Sequence, residues 1–291
     1  LWESGDSNGS VSLNSLFQGN MTPVVSRDIS LKELAFLICR GGWPGSLSLT
    51  PKAALRQAAN YVDSVANSDI SRVDDVSRNA EFTRRLLRSY ARHQGAQVSV
   101  NTIYDDLEKN RMGSMSEDTI ASYIVALKKI FVIEDMPAWS PNLRSKTAIR
   151  TSDTRYFVDS SIAAAALGLG PEDLIGDLNT FGLLFETMVV RDLRVYADAL
   201  DGQVYHYRDK NGLECDAVVH LRNGCFGLIE IKLGSDRLIE SGAHTLKRLS
   251  DKIDTTRMKS ASFLMVITGQ GQYAYRREDG VYVVPIGCFK D

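Results

Sequence analysis

The stretch "GLIEIKLG" (227–234) carries Glu230 and Lys232 two residues apart in a run that is otherwise apolar or glycine. An extended strand points residues i and i+2 to the same side, so this carboxylate and this ammonium stand together. Upstream, Asp216 lies in "LECDAVVHL", where Cys215, Ala217, Val219 and Leu221 make one face and Glu214, Asp216 and Val218 the other. Further upstream, Glu186 is the only charged residue between Asp177 and Arg191, in a helical stretch that is apolar nearly all round from Phe181 to Val190. A buried carboxylate needs a cation, a hydrogen-bond donor or a proton. Two carboxylates on facing strands repel each other, and a divalent cation held between them removes the conflict. Magnesium takes such oxygen ligands. A lysine beside the metal can hold or polarise an attacking water. The substrate suited to that chemistry is a phosphodiester, whose developing charge both cations stabilise.

Whether the acids meet depends on strand register. A two-residue turn at Asn223-Gly224 pairs Arg222 with Cys225 and sets Asp216 opposite Ile231, on the wrong face for Glu230. A three-residue loop, Arg222-Asn223-Gly224, pairs Leu221 with Cys225 and sets Asp216 opposite Glu230 and Glu214 opposite Lys232. Gly at the third loop position suits the left-handed residue of the longer loop.

Three compositional blocks supply the elements. Residues 1–20 are small and polar and read as loop. Ser30 and Glu33 form a capping-box pattern before a helix over "LAFLICR", and Pro51 opens a second helix. This block, 1–70, reads as the tail end of a domain whose bulk is absent. The block 71–160 reads as three helices ("EFTRRLLRSYARHQG", "SVNTIYDDLEKN", "SEDTIASYIVALKKIFVI") followed by strands at "VIEDMPAW" and "TRYFVD", joined by the basic loop "SPNLRSKTAIRTSD". That is the layout of a winged helix. The block 161–291 is α/β. A long apolar helix leads to strands at "QVYHYR", "LECDAVVHL" and "CFGLIEIKLG", then a helix at "SDRLIESGAHTLKRLSDKI", then strands at "SASFLMVIT", "QYAYRR" and "GVYVVPI".

The 291 residues suggest two or three domains, and the net charge of −2 confines any nucleic-acid binding to a local patch. Cys39, Cys215, Cys225 and Cys288 show no metal spacing and no disulfide framework, which fits a reducing compartment such as the cytoplasm. No apolar run approaches the ~20 residues of a membrane span. No GxxxxGK[ST] loop, HExxH or GxSxG is present, so this stretch alone carries neither an ATP site nor a hydrolase triad.

Block 71–160 holds 14 Lys and Arg against 12 Asp and Glu. Arg84, Arg88 and Arg92 recur at i, i+4 and i+8 with Arg85 beside them, a stripe that can meet nucleic-acid phosphates or pair with acids on a solvated face. Arg144, Lys146 and Arg150 in the wing loop point the same way. Acids in "SEDT", at the start of the third helix, oppose docking of that helix in a major groove. For Glu230 and Lys232 the plain alternative is an ion pair on a strand face. Glu214 reads as a solvated strand residue or a partner of Lys232, and Tyr205, Tyr207 and Arg208 as packing across the sheet.

The order Glu186 on a helix, Asp216 on a strand, Glu230-Ile231-Lys232 on the next strand, then a helix, resembles the PD-(D/E)XK nuclease core. The resemblance implies that Asp216 and Glu230 hold Mg²⁺ or Mn²⁺, that Lys232 is the catalytic lysine, and that Glu186 is a supporting helix acid and metal ligand. Cys215 stands where that signature has proline. More widely, "LWESGDSNGSVSL", "ICRGGWPGSL", "YFVDSSIAAAALGL", "FGLLFETMVVRDL", "YHYRDKNGLECDAVV" and "LIEIKLG", in this order, resemble the C-terminal region of a family of prokaryotic AAA-type ATPases. The implied architecture is a helical lid remnant, a winged helix and a PD-(D/E)XK-like mixed sheet flanked by helices. ATP would belong to an upstream domain, and the chain would be a piece of a longer protein. The expected function is DNA binding with Mg²⁺- or Mn²⁺-dependent nuclease activity. The rival is an inactive nuclease-like module that binds a protein partner, self-associates or regulates the ATPase.

Overall fold

A computed structural model describes residues 1–74, 76–108, 116–141 and 152–291. In chain order these form β1 (Val11–Ser12), α1 (Leu13–Phe17), β2 (Val24–Val25), α2 (Leu31–Arg40), α3 (Pro51–Ser64), α4 (Ala80–Arg92), α5 (Val100–Glu108) and α6 (Glu117–Lys129). Then come α7 (Ser160–Leu167), α8 (Pro171–Gly176), α9 (Leu178–Asp198), β3 (Gly202–Arg208), β4 (Glu214–Leu221) and β5 (Phe226–Lys232). The chain closes with α10 (Asp236–Lys252), β6 (Phe263–Thr268), β7 (Tyr273–Arg276), β8 (Tyr282–Pro285) and β9 (Phe289–Lys290). The architecture is mixed α+β. It divides into one unit of Leu1–Leu34, Pro137–Thr151 and Val189–Asp291, and a second of Ala35–Met136 and Ser152–Met188.

The first unit is built on a seven-stranded sheet in the order β2-β7-β8-β6-β5-β4-β3. Strands β3, β4 and β5 form an antiparallel meander, and β5 then pairs in parallel with β6 through the crossover helix α10. Six of the seven residues of β5 are buried, as expected of a strand covered on both faces. Helix α10 buries Gly242, Ala243, Leu246 and Leu249. Ala243, Leu246 and Leu249 share a core with Val218, Phe226, Leu228 and Val266 of the sheet and with Trp139.

Residues 1–20 are more ordered than their composition suggests. Ser12 caps α1 by accepting the Ser15 N–H at 3.3 Å, and Phe17 meets the Phe263 ring edge-on at 5.0 Å. Strand β1 pairs in parallel with β9, and β2 pairs with β7 at the sheet edge. Both pairings join segments far apart in sequence, so no local pattern announces them.

In the second unit, Asn79 caps α4 through Phe82 N–H at 2.8 Å, and Ser116 caps α6 through Thr119 N–H at 3.3 Å. The two strands expected after α6 meet antiparallel, but only through the isolated bridges Ile133–Phe157 and Met136–Thr154. An ion cluster sits at this junction. The Asp135 side chain is buried, salt-bridged to Lys128 at 2.7 Å and to Arg155, and accepts the Tyr90 hydroxyl. Asp159 caps α7, accepting Ser161 N–H and Gly42 N–H at 2.9 Å each.

Candidate functional site

The loop after β4 is the three-residue one. Leu221 N–H donates to Cys225 O at 2.8 Å, and Gly224 is left-handed at φ +80°. The ladder then runs His220–Phe226, Val219–Gly227, Val218–Leu228 and Ala217–Ile229, so the next position outward sets Asp216 against Glu230. Both carboxylates turn to the face covered by α10, where a Cβ at Gly242 would lie 3.3 Å from the Glu230 Cβ. A side chain at residue 242 would press directly on the acid.

Lys232 closes the site. Its Nζ lies 2.7 Å from Glu230 Oε2 and 3.0 Å from Asp216 Oδ2. Asp216 Oδ2 also accepts the Ile231 N–H at 2.7 Å. That second donor is a backbone group, invisible to any search for side-chain types. Glu230 is 4% exposed, whereas the side chains of Asp216 and Lys232 keep 20% and 22% of their surface. The site is thus deep at Glu230 and open on the Asp216 side. After β5 the chain turns sharply into α10 through Gly234 at φ +153° and Ser235 at φ +82°, the latter a strained conformation for a residue with a Cβ.

The electrostatics follow from one cation facing two anions. Burial first, and the Asp216 charge second, push the Glu230 carboxyl up to about 8, against the pull of Lys232. Burial pulls Lys232 down, but the two carboxylates outweigh it and hold the ammonium charged above its ordinary value. The two directions agree physically: an ammonium shared by two carboxylates neutralises one of them, and the more buried acid keeps its affinity for a proton.

Glu186 lies in the second unit. Its carboxylate accepts the Tyr156 hydroxyl and lies against Gly95. Glu214 pairs with Arg208 at 3.1 Å rather than with Lys232. Tyr207 packs edge-on to Trp139 at 6.1 Å, and Tyr205 lies 6.5 Å from the His220 ring. Among the described residues no group of three or more His, Cys, Asp or Glu could hold a metal ion.

The arginine stripe on α4 divides. Arg84 turns to Asp63 at 3.1 Å and to Asn67 at 3.0 Å. Arg85 pairs with Glu81 at 3.2 Å. Arg92 reaches Asp106 at 3.5 Å, an acid that Ser89 and His93 also hold. Arg85, Arg88 and Arg92 line one concave surface with Ser89, Asp106 and Leu107, and Arg88 there is exposed. Arg144, Lys146 and Arg150 lie outside the described residues. Among the described residues no helix is long and apolar enough to cross a membrane.

No curated protein matches the chain, and neither does any solved structure. Two family models do. Residues 31–173 match a domain of unknown function (DUF8612), and residues 181–289, which contain the whole Asp216–Glu230–Lys232 triangle, match a second domain of unknown function (DUF4143). The second is a domain often found in the C-terminal regions of AAA-ATPase-like proteins.

Proposed function

We propose that the chain is the C-terminal portion of an AAA-type ATPase and that its sheet-bearing unit is a PD-(D/E)XK-like module that cleaves phosphodiesters with a divalent metal. The observation that carries this reading is the convergence of Asp216, Glu230 and Lys232 on one face, with a single positive charge 3.0 and 2.7 Å from the two carboxylates. Two converging carboxylates fit Mg²⁺ or Mn²⁺. Such ions are commonly bound through one or two carboxylates, with water and substrate phosphate completing the shell. Asp216 and Glu230 would hold the ion. When bound, it would supply Lewis-acid stabilisation of the phosphoryl oxygens and a more acidic water. The chain's own residues do the rest. Ile231 N–H fixes the Asp216 rotamer, burial under α10 keeps bulk water from Glu230, and the Lys232 ammonium offers donors to an attacking water. The reading rests on these three side chains and does not need Glu186. DNA binding through a winged helix formed by α4, α5 and α6 belongs to the same reading, with Arg85, Arg88 and Arg92 as the phosphate-facing surface.

The test is a cleavage assay of the chain on plasmid and linear DNA with Mg²⁺ or Mn²⁺, for the wild type and Lys232→Ala. Cleavage by the wild type is expected to require metal and to fall by about 100-fold or more in the variant, the scale of losing one group that handles the reacting proton. No metal-dependent cleavage by the wild type sinks the proposal. In that case the second reading gains, in which the triangle is a self-contained ion cluster of a partner-binding module. The absence of any three-ligand group among the described residues favours that alternative.

A further inference from the structure

The Lys232 ammonium already answers both carboxylates of the site. It occupies the point where Asp216 and Glu230 converge. A divalent ion held by the same carboxylates would stand a few ångströms from it, and like charges at that range repel strongly in a half-buried site. The ammonium must then move and find another acceptor, because it brings three donors and no acceptor of its own. Its four-carbon stem is flexible enough for the movement.

The adjoining strand offers such an acceptor. In the parallel register of β5 and β6, Glu230 pairs with Val266 and Lys232 with Thr268, which sets Thr268 beside Lys232 on the same face. Thr268 is 1% exposed, and its hydroxyl has no hydrogen-bond partner among the described residues. On its other side the register partner is Pro285, which has no N–H to give. Buried hydroxyls are nearly always bonded, so an exception calls for a reason.

We propose that Thr268 is a positioning residue that accepts the Lys232 ammonium when a divalent cation enters between Asp216 and Glu230. The inference rests on the metal reading above. The hydroxyl is idle while the lysine sits on the carboxylates and becomes occupied when the lysine is displaced. Thr268 thereby makes room for the metal and fixes where the lysine points afterwards.

Mn²⁺ affinity of the full chain, read by electron paramagnetic resonance of the free ion, tests this independently of cleavage. Thr268→Val and Thr268→Ala are expected to weaken Mn²⁺ binding about tenfold, the lower end of what removing a supporting partner does to a metal site. Thr268→Ser should bind as wild type does. In a Lys232→Ala background the same substitutions should change nothing, because the residue acts through the lysine. Thermal unfolding without metal should leave Thr268→Val at least as stable as wild type, since an unpaired buried hydroxyl has been removed. Wild type that binds no Mn²⁺ overturns this proposal together with the metal reading. Wild type that binds Mn²⁺ while Thr268→Val and Thr268→Ala bind equally well overturns this proposal alone. A loss that persists in the Lys232→Ala background does the same.

Discussion

At Lys232 one ammonium faces two carboxylates, and the more buried of them, Glu230, holds its proton more firmly than an ordinary glutamate. A second titratable group in the same unit gives a cleaner handle on pH. Trp139 Nε1–H donates to His220 Nδ1 at 3.2 Å, which requires that nitrogen to be unprotonated. Burial lowers the His220 pKa below its ordinary value. Between the folded value and about 6.5 the unfolded chain binds more protons, so stability rises with pH there. The contribution is complete above about 6.5 and is lost as pH falls through the folded value. Urea midpoints measured between about pH 5 and pH 8 should therefore fall on acidification more for the wild type than for His220→Gln, which cannot titrate. Parallel profiles would show that the indole–imidazole bond carries no pH dependence.

At the scale of elements, the hairpin of β4 and β5 decides whether two acids meet. Gly224 is left-handed at φ +80°, with no atom within 4 Å of where a Cβ would stand, so Gly224→Ala is charged only for its backbone. The expected loss is about 1 kcal/mol in chemical denaturation, with Mn²⁺ affinity unchanged because the apolar pairs of the ladder still hold the register. A larger loss, or a weakened metal response, would mean that the turn and not the packing sets the alignment. The hairpin was legible because its turn residue, its alternation and its length agree locally. The caps at Ser30 and Ser116 were legible for the same reason, and each accepts the N–H three residues on. Even so, the Glu33 carboxylate goes to Arg27 instead of completing its box. What sequence could not supply was partnership at a distance. Arg84 looks like one of a basic row until α3 brings Asp63 to it, and Val24-Val25 carries no sign that β7 will adopt it as an edge strand. Of the candidate site, Asp216, Glu230 and Lys232 could be aligned once Gly224 was taken as the left-handed residue of a three-residue loop. The company kept by Glu186 depends on Tyr156, which no periodicity links to it.

For the molecule as a whole, neither compact unit is a continuous stretch of chain, and the compositional blocks at 1–70, 71–160 and 161–291 do not follow their limits. The sheet-bearing unit takes its edge strand β2, the helix α1 under Phe263 and the strand β1 from the first 34 residues. A fragment of residues 189–291 is therefore expected to lose protection at β7 and β9 in hydrogen exchange and to unfold at lower urea than the full chain. Equal protection in the fragment would mean that the N-terminal segment merely decorates a sheet able to stand alone.

The pairing of Val11 with Phe289 also has a consequence in time. A chain leaving the ribosome N-terminus first exposes β1 long before its partner has been made, and at about 5–20 residues per second the wait lasts many seconds. Through that interval Val11 and the apolar side of α1, with Leu13 and Leu16, have no sheet to bury them. The sheet-bearing unit can finish only after synthesis has passed Phe289, so its last pairing is also the one that joins its two ends.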